Sequence, residues 1–423
     1  MTDNKIKLLT ISDHPLSPSG VGTQTKYVIE ALLETGKFSV LSLAGAIKHE
    51  AYEPSKVDPY GEDWIIQPVD GYGNPEFIRS VIRTQRPDMV WFMTDPRFWE
   101  WLWAMENEIR PLAPMIYYHV WDNFPLPKYN KKFYESNDYI ACISKVTQKI
   151  VDGVAPEVDS KYIPHAVDPE IFTPLQEDER RKEMREEYFG SDEKFVIMWN
   201  NRNAKRKQTG SLIVWYSKFL ETIGKEKADK CVLVMHTDPT DPYGQNIDTI
   251  LTDFGLDKGQ ILISKEKVPP HSLAAMYNIS DVTVNVSDAE GFGLATLESL
   301  SCGTPIVATM TGGLQEQVTD GKEWFGVGIE PASKALIGSQ QVPYIYEDRI
   351  SEEGFVEALL KMHNMTREER RTMGLKGREH VEKNYNFDKF KQTWVDLMLG
   401  INEQKGSWAN RKGYKPWSIT EIK

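Results

Sequence analysis

The sequence predicts an α/β protein made of two doubly wound parallel sheets. Three observations predict it: short β-type runs recur along the chain, helical-period stretches separate them, and the alternation starts again after residue 190. In the first half the expected strands lie at 7–11, 38–43, 64–67, 89–93, 115–120 and 139–143, with helices such as 24–34 and 76–86 between them. In the second half they lie at 195–199, 232–236, 261–264, 282–286 and 305–308. Strands joined through helices pair in parallel with right-handed crossovers, and such sheets bind ligands beyond the carboxyl ends of their strands. A charge-dense stretch at 177–188, closed by Gly190, marks a change of domain. The expected division is therefore 1–190, 191–385 and a closing segment, 386–423. From residue 366 on, two helices are expected, broken around 384–387.

Composition narrows the class. The chain has 423 residues, with 50 Lys plus Arg against 62 Asp plus Glu, a net charge of −12. That balance argues against general nucleic-acid coating, although one basic face on an acidic body is compatible with it. Hydrophobic residues at 40% and charged residues at 26% describe a globular chain. No apolar run approaches the roughly 18–20 residues of a membrane helix. The first residues carry no small-residue cleavage site, so a cytoplasmic protein without a membrane span is expected. Cys142, Cys231 and Cys302 lie far apart, which excludes a disulfide framework and a zinc module.

The informative segment runs from Asp281 to Val307. Val282, Val284 and Val286 alternate as in a strand, Glu290-Gly291-Phe292-Gly293 makes a tight turn, and Leu294 opens a helix. Glycines let backbone amides approach a ligand closely, and the first turn of a helix offers unpaired donors and a positive dipole end. Glu290 precedes this anion-binding turn, and Glu298 projects from the helix behind it. Two carboxylates there suit a ligand with hydroxyls beside its phosphates, because a carboxylate accepts two hydroxyl hydrogen bonds. A sugar nucleotide is such a ligand.

This segment resembles the Glu-x7-Glu signature of retaining, family-4-type (group 1) glycosyltransferases of the GT-B fold. The neighbouring Leu273-Ala-Ala-Met-Tyr277, Cys302-Gly-Thr-Pro305 and Thr311-Gly312-Gly313-Leu-Gln-Glu316 fit as well. The resemblance implies two Rossmann-like domains facing across a cleft. The first would lie on the acceptor side and the second would bind the nucleotide sugar, with the C-terminal helix crossing back to the first. It implies a nucleotide-diphosphate sugar donor, UDP-linked, with no cofactor and no metal. Glu298 would hold the ribose and Glu290 the donor sugar's hydroxyls. The amides around Gly293 and Leu294, beside Gly291 and Phe292, would hold the distal phosphate. In the family an Arg, and a Lys five residues on, grip the diphosphate; Arg202 and Lys207 have that spacing, while Lys205 and Arg206 leave the register open. Fixed cations there do what a metal does elsewhere, since charge-assisted hydrogen bonds contribute ~1.5–3 kcal/mol each.

The first half is less specific. Ser12-Asp-His-Pro-Leu-Ser-Pro-Ser-Gly20-Val-Gly22-Thr resembles the family's glycine loop under the donor phosphates, with a Val between glycines that are often adjacent. His119 ends a strand and resembles the family's histidine close to the donor sugar, so it joins Glu290 as a catalytic candidate. Ile163-Pro-His165-Ala-Val-Asp168-Pro-Glu-Ile-Phe172 resembles the family's interdomain segment, in which Asp168 and Phe172 read mainly as structural and the role of His165 stays open. The aromatic run Trp99, Trp101, Trp103 reads mainly as core.

The 332–349 segment and the Trp-rich tail resemble parts of glycosyltransferases of large tailed phages. This makes hydroxymethylcytosine in DNA a candidate acceptor. Three basic and aromatic segments suit such an acceptor: 128–134, 205–207, and the tail with Trp408, Arg411, Lys412, Tyr414, Lys415 and Trp417. The alternatives are a polysaccharide precursor or small metabolite as acceptor, or a nucleotide-sugar-binding protein or epimerase on the same scaffold.

Overall fold

The computed structural model describes residues 5–415. Packing divides the chain into two compact units. One holds the residues through His165, Ser339–Pro343 and those from Asp388 onward; the other holds Ala166–Gly338 and Tyr344–Phe387.

The strands of the first unit are β1 (Ile6–Asp13), β2 (Phe38–Gly45), β3 (Ser55–Val57), β4 (Gly61–Pro68), β5 (Met89–Thr94), β6 (Met115–His119), β7 (Tyr139–Cys142) and β8 (Ser160–Tyr162). They form one sheet in the order β3-β4-β2-β1-β5-β6-β7-β8, parallel except for β3 against β4. Every residue of β5 and β6 is buried, which is the pattern of strands covered on both faces. The C-terminal helix Phe387–Lys405 packs on this sheet: Trp394 meets Trp91 and Tyr118 edge to face, with ring centroids 6.0 and 4.8 Å away.

The second unit has β9 (Phe195–Asn200), β10 (Cys231–His236), β11 (Ile261–Ser264), β12 (Val282–Asn285), β13 (Ile306–Thr309) and β14 (Gly326–Ile329), all parallel, in the order β11-β10-β9-β12-β13-β14. Its core joins Ile197, Trp199, Leu233 and Val284 to Leu212 and Phe219 of helix Thr209–Ile223 and Phe355 and Leu359 of helix Glu352–Asn364. The antiparallel pair β15 (Ser333–Ile337) and β16 (Ile345–Arg349) stands apart from that sheet.

The strand runs and the break between helices Arg367–Asn384 and Phe387–Lys405 follow the sequence pattern to within a few residues. Short β3, β8 and β14 were not expected, and neither was the hairpin. The stretch placed at a domain change is itself a helix, Asp178–Phe189, and packing sets the boundary at residue 165, not 190. The reason is Arg185. Its guanidinium is fully buried and donates to the Ile279 carbonyl (2.5 Å) and to Asp281 Oδ2 (3.1 Å). A charge-rich sequence thus hides one arginine that ties the helix to the second sheet.

Candidate functional site

In a doubly wound sheet the ligand crevice opens where the strand order reverses. In the second sheet this is between β9 and β12, whose crossovers leave in opposite directions. Beyond the carboxyl ends of these two strands lie the turn Lys205–Lys207 and the loop 286–293. The segment singled out in the sequence stands at the switch point.

Gly293 caps helix Leu294–Ser301 with φ +92°, and a Cβ there would stand 2.5 Å from Leu314 Cδ2. Only glycine meets both demands. The loop is braced from behind. Gly313 N–H donates to the Glu290 carbonyl (3.0 Å), and Gln317 donates to the Phe292 carbonyl (2.7 Å) while accepting from Thr296 (2.6 Å). A Cβ on Gly313 would lie 2.7 Å from the Gly291 oxygen, so Gly291 and Phe292 sit tight against this second turn. Leu294 opens the helix with its amide in the unpaired first turn.

Glu290 is nearly buried and forms an ion pair with Lys207, itself buried. Burial drives the Glu290 carboxyl up, but the charges of Lys207 and Arg206 outweigh it and hold it below its ordinary value. Of the three cations in the Lys205–Lys207 turn, Lys207 is the one turned inward; Lys205 is exposed. Arg202 does not join it. Its guanidinium pairs with Asp241 and lies over the Tyr243 ring at 5.3 Å, with 62% of the side chain exposed.

Glu298 is half-buried and accepts from the Tyr277 hydroxyl at 2.8 Å, which in turn accepts from Asn200 at 2.7 Å. Burial pushes its carboxyl up to about 7, only partly offset by the Tyr277 hydrogen bond. Around these groups the Asn201 Nδ2 and the Thr237 hydroxyl, at the ends of β9 and β10, are buried without a hydrogen-bond partner among the described residues. Buried polar atoms of that kind mark places where a ligand or water completes the bonding.

The first unit treats its candidates differently. His119 is fully buried, and burial lowers its pKa to about 3. The Tyr117 hydroxyl donates to the Thr94 carbonyl (2.6 Å), so its oxygen can only accept from His119 Nδ1 (3.0 Å). His119 Nε2 then accepts from Tyr134 (2.8 Å). Both ring nitrogens are bonded within the fold. The expectation that His119 reaches a donor sugar is not met by this geometry. His165 is likewise buried, at 2.7 Å from the Tyr118 hydroxyl.

Gly20 opens helix Gly20–Leu33, and the Ser19 hydroxyl that caps it accepts from Gly22 N–H (2.9 Å) and donates to Asp13 (2.8 Å). A Cβ on Gly22 would meet the His14 carbonyl at 2.6 Å. Loop packing therefore accounts for Gly22, whose amide is already engaged.

In the basic and aromatic segments several side chains are engaged within the fold, whereas Lys128, Lys132 and Lys205 are exposed. Tyr134 is buried on His119, and Phe133 stacks on Trp103 with centroids 4.9 Å apart. Trp408 lies under Arg86 at 3.9 Å, its amide on the Leu112 carbonyl and its ring nitrogen on Pro87, while Arg411 pairs with Asp138 at 2.5 Å. The tail straps the amino ends of the first unit's strands. Trp417 lies outside the described residues.

Residues 180–374 match the family model described as glycosyl transferases group 1. Over 191 residues the chain is 27% identical to the GDP-mannose-dependent alpha-(1-6)-phosphatidylinositol monomannoside mannosyltransferase of Mycolicibacterium smegmatis, covering 44% of this chain and 47% of that protein. It is 53% identical over 75 residues to the D-inositol 3-phosphate glycosyltransferase of Streptosporangium roseum, 18% of this chain and 17% of that protein. The matched stretch thus spans less than half the length of these curated relatives. The sucrose-phosphate synthase structure from Thermosynechococcus elongatus superposes with a TM-score of 0.74 at 16% identity, covering 94% of this chain and all of that one. An Anabaena protein solved with UDP and glucose gives 0.67 at 14% identity, over 93% and 100%. The fold is GT-B.

In this GT-B chain the second unit brings together Glu290, Lys207 and the Gly291–Gly293 turn, with Glu298 on the helix that follows. Sequence reasoning missed the braces, Gln317 and Thr296, and the Asn200–Tyr277 relay to Glu298. Gln317 carries no local signal, because its role exists only once the 312–318 turn folds onto the 290–293 loop.

Proposed function

We propose that the chain is a retaining glycosyltransferase that takes its sugar from a nucleotide-diphosphate donor held by the second unit. One observation supports this most: the carboxylates of Glu290 and Glu298 flank a glycine turn and a helix N-terminus, with buried Lys207 against the first of them. In this reading Glu298 accepts the two ribose hydroxyls and Glu290 the donor sugar's hydroxyls. The Gly293 and Leu294 amides receive the distal phosphate, with Lys207 supplying positive charge beside it. Arg202 reaches the diphosphate after leaving Asp241.

Transfer forms the bond between the acceptor oxygen and the anomeric carbon and breaks the bond from that carbon to phosphate. The acceptor proton leaves with the diphosphate, so no protein base is assigned, and His119 is given no role in the reaction. The cations and helix dipole stabilise the departing charge.

The named relatives act on different acceptors, and the acceptor of this chain is read only as a hydroxyl compound. Hydroxymethylcytosine in DNA enters as one arm of the test: of the segments that suggest it, Tyr134, Lys207, Trp408 and Arg411 are engaged within the fold, while Lys128, Lys132 and Lys205 are exposed. The test is nucleotide-diphosphate release from UDP- and GDP-sugars in excess chelator, with inositol phosphate, simple sugars and hydroxymethylcytosine duplexes as acceptors, and the anomer read by NMR. Release that depends on an acceptor and yields a retained anomer supports the proposal. Binding without release, or a changed sugar without transfer, selects the binding protein or the epimerase. Release abolished by chelator and restored by magnesium contradicts the metal-free reading.

A further inference from the structure

The loop carrying Glu290 is gripped from three sides. The basic turn holds it through Asp288 N–H on the Arg206 carbonyl (2.8 Å) and Gln208 on Asp288 Oδ2 (2.5 Å). The 312–317 turn holds it through Gly313 and Gln317. The third grip comes from the hairpin. Asp348 N–H of β16 donates to the Asp288 carbonyl at 2.7 Å, and the buried Asp348 carboxylate accepts from the Thr311 hydroxyl at 2.8 Å. One residue thus ties the start of the donor loop to the start of the turn that braces its end.

Asp348 is the buried residue of an otherwise largely exposed hairpin. Lys334 sits opposite Asp348 in register with Nζ 3.6 Å from Oδ1, and Leu336 and Ile337 are 62% and 39% exposed. Asp288, which also feels the charges of Glu347, Arg349 and Asp348, is pushed up to about 6, chiefly by burial, so the hairpin's charges act on this loop directly.

We infer that the 333–349 hairpin is a positioning arm for the donor loop and that Asp348 is the residue through which it sets the place of Glu290. This inference rests on the donor-site reading of that loop. Asp348 touches no reacting atom in this account. Its main-chain amide holds Asp288, as any residue here would, and its carboxylate holds Thr311 at the start of the turn that braces Glu290; Asp348→Ala and Thr311→Val remove this second link.

The test compares Asp348→Ala, Asp348→Asn and Thr311→Val with the wild-type chain in two measurements. The first is amide hydrogen exchange across the second unit. Asp348→Ala and Thr311→Val should each speed exchange in 288–293 while β9, β12 and β13 keep wild-type protection; equal protection of the loop in both variants would overturn the arm. The second is steady-state release from UDP-glucose and GDP-mannose. Asp348→Ala should raise the donor KM about tenfold, the size of one lost hydrogen bond to a charged group, with a smaller fall in kcat. Asp348→Asn, which keeps an oxygen for Thr311, should recover most of the KM. Unchanged KM in Asp348→Ala would overturn the inference while leaving the donor reading intact. If the wild-type chain binds neither nucleotide sugar, the donor reading falls, and the exchange data alone then decide whether the hairpin positions the loop.

Discussion

The two units end their strands in opposite ways. In the first, the polar groups at the carboxyl ends are closed on one another: His119 lies between two tyrosines, and Asp13 accepts from both Ser19 and Tyr72 (2.8 Å each). In the second, Glu298 is half-buried with one tyrosine as partner, a carboxyl held near neutrality, and a glycine turn beside it. The same sheet architecture thus yields a closed hydrogen-bond network in one place and a more open one in the other. Unsaturated polar groups at a switch point are where binding free energy is available.

The sharpest way to break this contrast is Lys207→Met. It leaves the Glu290 carboxylate buried without its cation, and removing one partner of a buried pair costs about 3–5 kcal/mol. Urea unfolding should show that loss, and donor turnover should disappear. Gly293→Ala comes next. Positive φ and the clash with Leu314 should cost about 1–3 kcal/mol and weaken donor binding together. In the first unit, His119→Phe should cost about 1–3 kcal/mol by leaving the buried Tyr134 hydroxyl without its acceptor, while kcat of the folded fraction and its pH profile stay as in wild type. A collapse of kcat with unchanged stability would restore His119 to the chemistry. The smallest stability effect belongs to Arg202→Ala, since an exposed pair such as Arg202–Asp241 contributes about 0–1 kcal/mol. Donor KM in that variant reports whether Arg202 leaves Asp241 for the diphosphate.

The sequence made the sheets legible because parallel strands buried on both faces read as apolar runs, as in β5 and β6. It made Glu290, Gly293 and Glu298 legible because one turn and one helix bring them together locally. His119 misled because a strand-end histidine looks the same in sequence whether it faces a ligand or two tyrosines, one of them fifteen positions on. The 332–349 segment shows only a resemblance in the sequence and not its place beside the loop, since its link to Asp288 runs through a backbone amide that any residue supplies. Nothing in the charge-dense 177–188 stretch singles out Arg185 for a similar reason: its partners are main-chain carbonyls, Asp192 and Asp281, the last ninety-six residues away.

The central claim is that the second unit binds a nucleotide sugar through Glu298, and calorimetry with UDP-glucose and GDP-mannose between pH 6 and 8 tests it most directly. The wild-type carboxyl, raised from 4.5 to about 7, becomes a full acceptor of two hydroxyls only as it ionises, so donor affinity should rise across this range. The unliganded fold should move the other way. A raised carboxyl pKa contributes most below 4.5, and that contribution is lost as pH rises through about 7. Glu298→Gln should therefore bind the donor about 10- to 150-fold more weakly at pH 8, from ~1.5–3 kcal/mol of lost charged hydrogen bonding, with a flatter pH dependence. The same variant should be at least as stable as wild type at pH 8. Equal donor affinity and equal pH dependence in a folded Glu298→Gln chain would contradict the account.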